Sequence, residues 1–287
     1  MPQTQQILEE MWRGISMDMV GKKVLITGST DGIGRQTALD LAGMGAHVLI
    51  HGRDAGRLKA AAQEIERSAS QKIETFLGDF SSLDQVRQLA GDIMEKHDQL
   101  NLLINNAGIL ANRKRTSEDG YEMTFAVNHL APFLLTGLLL DLTKRGAPSR
   151  IVNVSSMMHS HAIDFENLNG EKGFDGHDAY GLSKLCNVLF TYELAERLKG
   201  TGVTVNCLHP GVIGTKLLRG GWGGGGGGGS HRSENLLYVA TGKALAHVTG
   251  KYFMNMRETR SADITYDPVI RKRLWKISEE ITGIHYR

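Results

Sequence analysis

The sequence predicts an α/β fold, a doubly wound parallel sheet in a single domain with helices on both faces. Three observations lead there. Short apolar runs of strand type alternate with longer helical stretches from Lys22 onward. A glycine-rich turn follows the first run directly and opens the first helix. The chain has 287 residues, 41% hydrophobic and 22% charged, enough to bury one sizeable core.

In chain order, Lys23-Val24-Leu25-Ile26 is the first strand, and a helical stretch runs from Gly34 to Met44. His47-Val48-Leu49-Ile50 is the second strand and Ala55 to Arg67 the second helix. Ile73 to Leu77 is a third strand, followed by a helix from Ser82 to Lys96. Leu102-Leu103-Ile104, Ile151-Val152-Asn153-Val154 and Val203-Thr204-Val205-Asn206 complete six. Near-continuous apolar runs, rather than alternating ones, mark strands covered on both faces. Right-handed crossovers then give a doubly wound sheet, whose ligands bind at the carboxyl ends of the strands.

Residues 1–20 read as an amphipathic extension, with Ile7, Leu8, Met11, Trp12 and Ile15 on one helical stripe. A stripe with no flanking Lys/Arg cluster packs more naturally on its own domain or a partner subunit than on a membrane surface. Residues 21–287 form the domain itself. An unbroken glycine run, 223–229, lies inside a segment, 214–233, expected to be a substrate lid with Leu217 and Trp222 as apolar cover.

A net charge of +2 offers no basic face for nucleic acid. Two cysteines, Cys186 and Cys207, make neither a disulfide framework nor a zinc knuckle, and no metal site is expected. Neither a signal peptide nor a transmembrane stretch is visible, so a cytoplasmic protein is expected, with peripheral membrane contact and homo-oligomerisation left open.

Thr27-Gly28-Ser29-Thr30-Asp31-Gly32-Ile33-Gly34 sits between the first strand and the first helix. The glycines allow a tight turn and close approach of backbone to a pyrophosphate. The helix N-terminus adds N–H groups and partial positive charge. Asp79-Phe80 follows the third strand, Asn105-Asn106-Ala107-Gly108 the fourth, and Ser155-Ser156 the fifth. Tyr180 and Lys184 are four apart, on one helical face, and His209-Pro210-Gly211-Val212-Ile213-Gly214-Thr215 follows the sixth strand.

This ordered set, from Gly21 to Thr215, resembles the short-chain dehydrogenase/reductase family with its Rossmann-type fold. Gly250-Lys251-Tyr252-Phe253 and the segment from Arg273 to Glu280 look closest to its retinol-dehydrogenase-like branch. The resemblance implies cofactor contacts from Gly28, Ser29, Thr30, Asp31, Gly32, Ile33 and Gly34, and from Asp79 and Phe80 at the adenine. It further implies Asn106, Ala107 and Gly108, Tyr180 and Lys184, and Pro210, Gly211, Ile213 and Thr215 around the nicotinamide. Asn128, Ser156, Tyr180 and Lys184 are the implied catalytic set. Tyr180 carries the proton, Ser156 orients the substrate oxygen, Lys184 lowers the tyrosine pKa and holds the ribose, and Asn128 holds a relay water. Ser156 lies farther from Tyr180 than in many family members, across an insertion similar to that of the branch.

Gly52 stands where NAD-using members place a carboxylate, and Arg53 follows it. A guanidinium binds a 2′-phosphate bidentately, so NADP is favoured over NAD. Asp31 opposes this, with Arg35 as a compensating charge. His159-x-His161 lacks a third metal ligand. The expected function is NADP-dependent interconversion of a carbonyl and an alcohol on an apolar small molecule. Met157, Met158 and Trp222 stand near the substrate. The alternatives are NADPH-dependent reduction of a carbon–carbon double bond, and a non-catalytic protein that senses NADP.

Overall fold

The computed structural model describes residues 16–69, 72–211 and 233–286. The stripe from Ile7 to Ile15, the cofactor positions Ile213 and Thr215, and the lid residues Leu217 and Trp222 lie outside them. Strands are β1 (Lys23–Ile26), β2 (His47–Gly52), β3 (Glu74–Leu77), β4 (Leu102–Asn105), β5 (Ser149–Val154), β6 (Val203–Leu208), β7 (Lys251–Met254) and β8 (Arg257–Glu258). They form one sheet of order β3-β2-β1-β4-β5-β6-β7-β8, parallel throughout except for the antiparallel β7–β8 pair.

Period-two sorting explains why the strand runs are apolar without alternation. Leu25, Leu49, Leu103 and Ile151 project into one core layer. Val24, Ile26, Val48, Ile50, Leu102, Ile104 and Val152 project into the other. The first layer is covered by α3 (Leu83–Lys96), α4 (Ala131–Leu138) and α6 (Gly176–Arg197). The second is covered by α1 (Gly32–Gly43), α2 (Ala55–Ala69) and α7 (Glu234–Thr241). Each fully buried Leu, Ile or Val contributes roughly 1.5–3 kcal/mol. α5 (Leu140–Arg145) leads into β5, and α8 (Pro268–Thr282) packs Leu274 and Trp275 against α6.

The structure extends the sheet beyond the six strands expected. β7 continues it in parallel next to β6, and β8 returns through a turn with Asn255 and Met256 at positive φ. β8 has two exposed residues and no apolar pattern to reveal it. The first helix starts at Gly32 rather than Gly34, because Asp31 caps it by accepting from the Gly32 N–H at 2.8 Å. The end of the N-terminal extension packs on α7: the Met17 N–H donates to the Thr241 carbonyl at 2.7 Å, and Met19 is buried. Among the described residues, no helix is long and apolar enough to cross a membrane.

Candidate active site

Parallel pairing of β1, β4, β5 and β6 brings their carboxyl ends, and every motif that follows them, to one edge. Strand order reverses between β1 and β4, so the glycine turn and the Asn106 turn face each other across the switch point. Thr27 locks the two, its hydroxyl oxygen accepting from the N–H groups of Asn106 and Ala107, both at 3.0 Å. The Asn106 amide donates to the carbonyls of Thr27 at 2.8 Å and Gly28 at 3.1 Å.

The glycines are required by close approach. Gly28 has φ +65°, and a Cβ there would lie 2.7 Å from the Ala107 Cα. A Cβ on Gly34 would overlap the Asn106 amide. A backbone turn this bare, opening a helix N-terminus at the switch point, fits a dinucleotide pyrophosphate. Ser29 departs from its expected part. It is fully buried; its N–H donates to the His51 carbonyl at 2.9 Å and its hydroxyl to the Ile26 carbonyl at 2.8 Å. Ser29 therefore shapes the turn with groups already engaged by protein.

His51, absent from the sequence reading, braces this turn. Its Nδ1 accepts from the Gly28 N–H at 3.2 Å, so the ring proton sits on Nε2, 3.0 Å from the Gly78 carbonyl. The Phe80 ring stacks on it with centroids 4.4 Å apart. Phe80 is thus buried behind the turn, whereas Asp79 stays partly exposed and accepts from the Ser81 N–H. Burial pushes the His51 pKa down to about 4, keeping it neutral. A histidine at the end of an otherwise apolar strand run was the available signal.

At the end of β2, a Cβ on Gly52 would overlap the Thr30 side chain, and Arg53 beside it is exposed. Arg35 does not compensate for Asp31 as expected, because it pairs with Glu64 at 3.2 Å. Arg57, on the first turn of α2, takes that place, 3.0 Å from the Asp31 carboxylate.

Asn128 lies in a single π-helical turn, Ala126–Leu130, a local distortion common at functional sites. It is fully buried and brackets Ile109: Oδ1 accepts from the Ile109 N–H at 2.8 Å and the amide donates to the Ile109 carbonyl at 2.9 Å. Its amide also donates to Ser183 Oγ at 2.9 Å. A Cβ on Gly108 would lie 3.3 Å from both Asn128 Oδ1 and Lys184 Nζ, so these three positions meet.

Asp175 caps α6, setting the helix that carries Tyr180 and Lys184. A Cβ on Gly181 would collide with the Met158 carbonyl, and this close packing brings α6 onto the loop after β5. Tyr180 there shares a side-chain hydrogen bond with Ser156. Ser155 differs, donating to the Lys184 carbonyl at 2.8 Å. His159 Nδ1 lies 2.7 Å from the Ser156 carbonyl, and its Nε2 accepts from the Ala262 N–H at 3.1 Å, so both nitrogens are engaged within protein.

Lys184 Nζ donates to the Val154 carbonyl at 3.0 Å and lies 5.4 Å from the Tyr180 ring centroid. Burial raises the Tyr180 pKa to about 12, against a smaller opposing effect of the Ser156 bond, and lowers that of Lys184 to about 8. Desolvation, rather than the neighbouring ammonium, sets the direction of the tyrosine shift in this structure. Pro210 and Gly211, with φ +99° at the glycine, close the edge after β6.

A profile of the short chain dehydrogenases matches residues 22–221. The chain belongs to the short-chain dehydrogenase family. Within it, this dehydrogenase falls in the retinol-dehydrogenase-like branch. It is 41% identical to human retinol dehydrogenase 13, with 92% of this chain and 85% of that protein covered. Among solved structures, it resembles an uncharacterized protein from Mycobacterium paratuberculosis at TM-score 0.79 and 30% identity, covering 95% and 97% of the two chains. It also resembles a short chain dehydrogenase from Escherichia coli CFT073 complexed with NADPH, at TM-score 0.68 and 25% identity, covering 82% and 97%. The dehydrogenase is therefore an NAD(P)-dependent oxidoreductase with a Rossmann-type fold, of the kind that interconverts alcohols and carbonyls.

Proposed function

We propose that this enzyme uses NADP(H) to interconvert an apolar aldehyde or ketone and its alcohol, with Tyr180 as the proton-transferring group. One observation carries the reading: the Tyr180 phenol is hydrogen-bonded to Ser156 with the Lys184 ammonium over its ring. A phenol with its pKa near 12 holds its proton at neutral pH and can donate it to a carbonyl oxygen placed between the two hydroxyls. Ser156 orients that oxygen, and its own position is fixed through the Met158 N–H and His159. When bound, the nicotinamide exchanges hydride with the carbonyl carbon. Lys184 places positive charge beside the ribose, and Asn128 fixes the Ile109 backbone that borders it.

The apolar preference rests on Met157 and Met158, 54% and 50% exposed immediately after Ser156, and on the names of the related retinol dehydrogenases. The NADP preference rests on Arg53, on the missing carboxylate at Gly52, and on the similarity to an NADPH complex. The test follows NADPH absorbance with retinaldehyde, medium-chain aldehydes and small polar carbonyls. Turnover with the apolar set and a preference for NADPH over NADH are expected. Turnover confined to polar carbonyls would reject the substrate class, and an NADH preference would reject the cofactor.

A further inference from the structure

The opposite edge of the sheet, at the amino ends of the strands, holds a second cluster of chemical groups. His47 opens β2 and Glu74 opens β3. Glu74 pairs with Leu49, two residues beyond His47, so period-two alternation puts both side chains on the face that α3 covers. His97 is the C-cap residue of α3 and completes the group. His47 Nε2 lies 2.5 Å from Glu74 Oε1, and His97 Nε2 lies 3.3 Å from Glu74 Oε2. One ligand atom from each residue can be chosen so that all three fall within 4.8 Å.

The second observation is His97 itself. Its side chain is 5% exposed, and Nε2 is buried with no hydrogen bond of acceptable geometry among the described residues. A buried imidazole nitrogen aimed at a carboxylate it does not bond is costly unless a third group satisfies it. We propose that His47, Glu74 and His97 bind one divalent ion of the zinc class, with water completing a tetrahedral shell. Two imidazoles and one carboxylate form a ligand set that suits zinc, cobalt or nickel better than calcium or magnesium. Ligand atoms around such an ion stand about 3.4 Å apart. The half-exposed His47 and Glu74 side chains can open to that spacing and admit the ion. His47 then binds the ion through Nε2 with its ring proton on Nδ1. Lys23, whose charge acts on His97, is held by Asp98 at 2.8 Å.

The site would clamp the sheet edge, β2 and β3, to the end of α3. It lies at the far ends of these strands from Tyr180, so it acts on stability rather than on the reaction. Sequence spacing could not reveal it, since the ligands come from three separate elements.

The test titrates untagged, chelator-treated protein with Zn²⁺ by calorimetry and with Co²⁺ by visible absorption, and records the thermal midpoint. One ion per chain, a raised midpoint and the absorption of a nitrogen- and oxygen-ligated cobalt are expected. Affinity should fall by more than about tenfold in His47→Ala, Glu74→Gln and His97→Ala, and stay unchanged in His247→Gln on the exposed surface. If the buried His97→Ala does not fold, the two half-exposed variants decide. Absence of binding by the wild type, unchanged affinity in His47→Ala and Glu74→Gln, or an equal loss in His247→Gln would overturn the proposal.

Discussion

The ammonium of Lys184 lies over the ring of Tyr180, 5.4 Å from its centroid, while its hydrogen bond goes to the Val154 carbonyl. Helical spacing alone places these two groups together and suggests that the cation acidifies the phenol. In the folded protein both are stripped of water, and each is shifted toward its neutral form. A neutral phenol is the form a carbonyl reduction needs at its proton donor. Ser156 holds the other side of the Tyr180 hydroxyl.

Replacing Tyr180 by Phe removes the transferable proton and leaves the ring in place. Turnover should fall by about 100-fold or more. Binding of NADPH, followed by fluorescence, should stay within a few-fold of wild type. Activity retained within a few-fold would remove Tyr180 from the proton-transfer step.

Lys184 carries a pH signature. Its pKa is lowered to about 8 in the fold, below the ordinary value of 10.5. Between these values the unfolded chain binds the extra proton, so the contribution of Lys184 to stability rises with pH from about 8 to 10.5. The shift corresponds to about 3 kcal/mol held against the fold at neutral pH. Lys184→Met should lose activity, be no less stable than wild type at pH near 7, and remove this rising contribution, so that Tm falls more steeply with pH on the alkaline side, where the buried Tyr180 and Cys186, held protonated in the fold, oppose it. An unaltered alkaline slope would mean that Lys184 is not the group responsible.

Much of this was legible because parallel strands turn sequence order into spatial order. The motifs after β1, β4, β5 and β6 each follow a strand, and shared strand direction carries them to one edge. Tyr180 and Lys184 were legible because helix geometry fixes a four-residue spacing. Side-chain bonding was not legible. Ser29 looks like a ligand contact in sequence but turns its groups inward, and Arg35 finds Glu64 on a neighbouring helix. His51 and His97 take their parts from residues far away in the chain, which no local pattern encodes. β8, short and polar, has no periodicity to read.

Arg53 should discriminate between the two cofactors. It is exposed at the end of β2, beside a glycine that presents no carboxylate to repel a 2′-phosphate. Losing one charge-assisted contact costs roughly 1.5–3 kcal/mol, about one to two decades of affinity. Arg53→Ala should therefore weaken NADPH by that factor and NADH hardly at all. Equal weakening of both would show that Arg53 does not read the phosphate. In that case Arg57, already drawn to this corner by Asp31, becomes the residue to replace.

His51 links acid stability to cofactor binding. Its folded pKa of about 4 lies below the ordinary 6.5, so the unfolded chain takes up a proton in that window and the folded chain does not. Stability from keeping the ring neutral is fully present above pH 6.5 and is lost as pH falls toward 4, to a limit of about 3 kcal/mol. His129, pushed down to about 3 by full burial, adds to the same slope. His51→Gln deletes one of these titrations, to which the buried His97, His159 and His209 also add, so the fall in Tm between pH 6.5 and 4 should become shallower than in wild type. The substitution also removes the ring that accepts from Gly28 and stacks on Phe80. The glycine turn then loses its brace, and NADPH affinity should drop by about tenfold, the worth of one hydrogen bond. An unchanged acid slope would contradict the buried neutral ring. Unchanged affinity with a shallower slope would leave the ring buried but separate it from the cofactor turn.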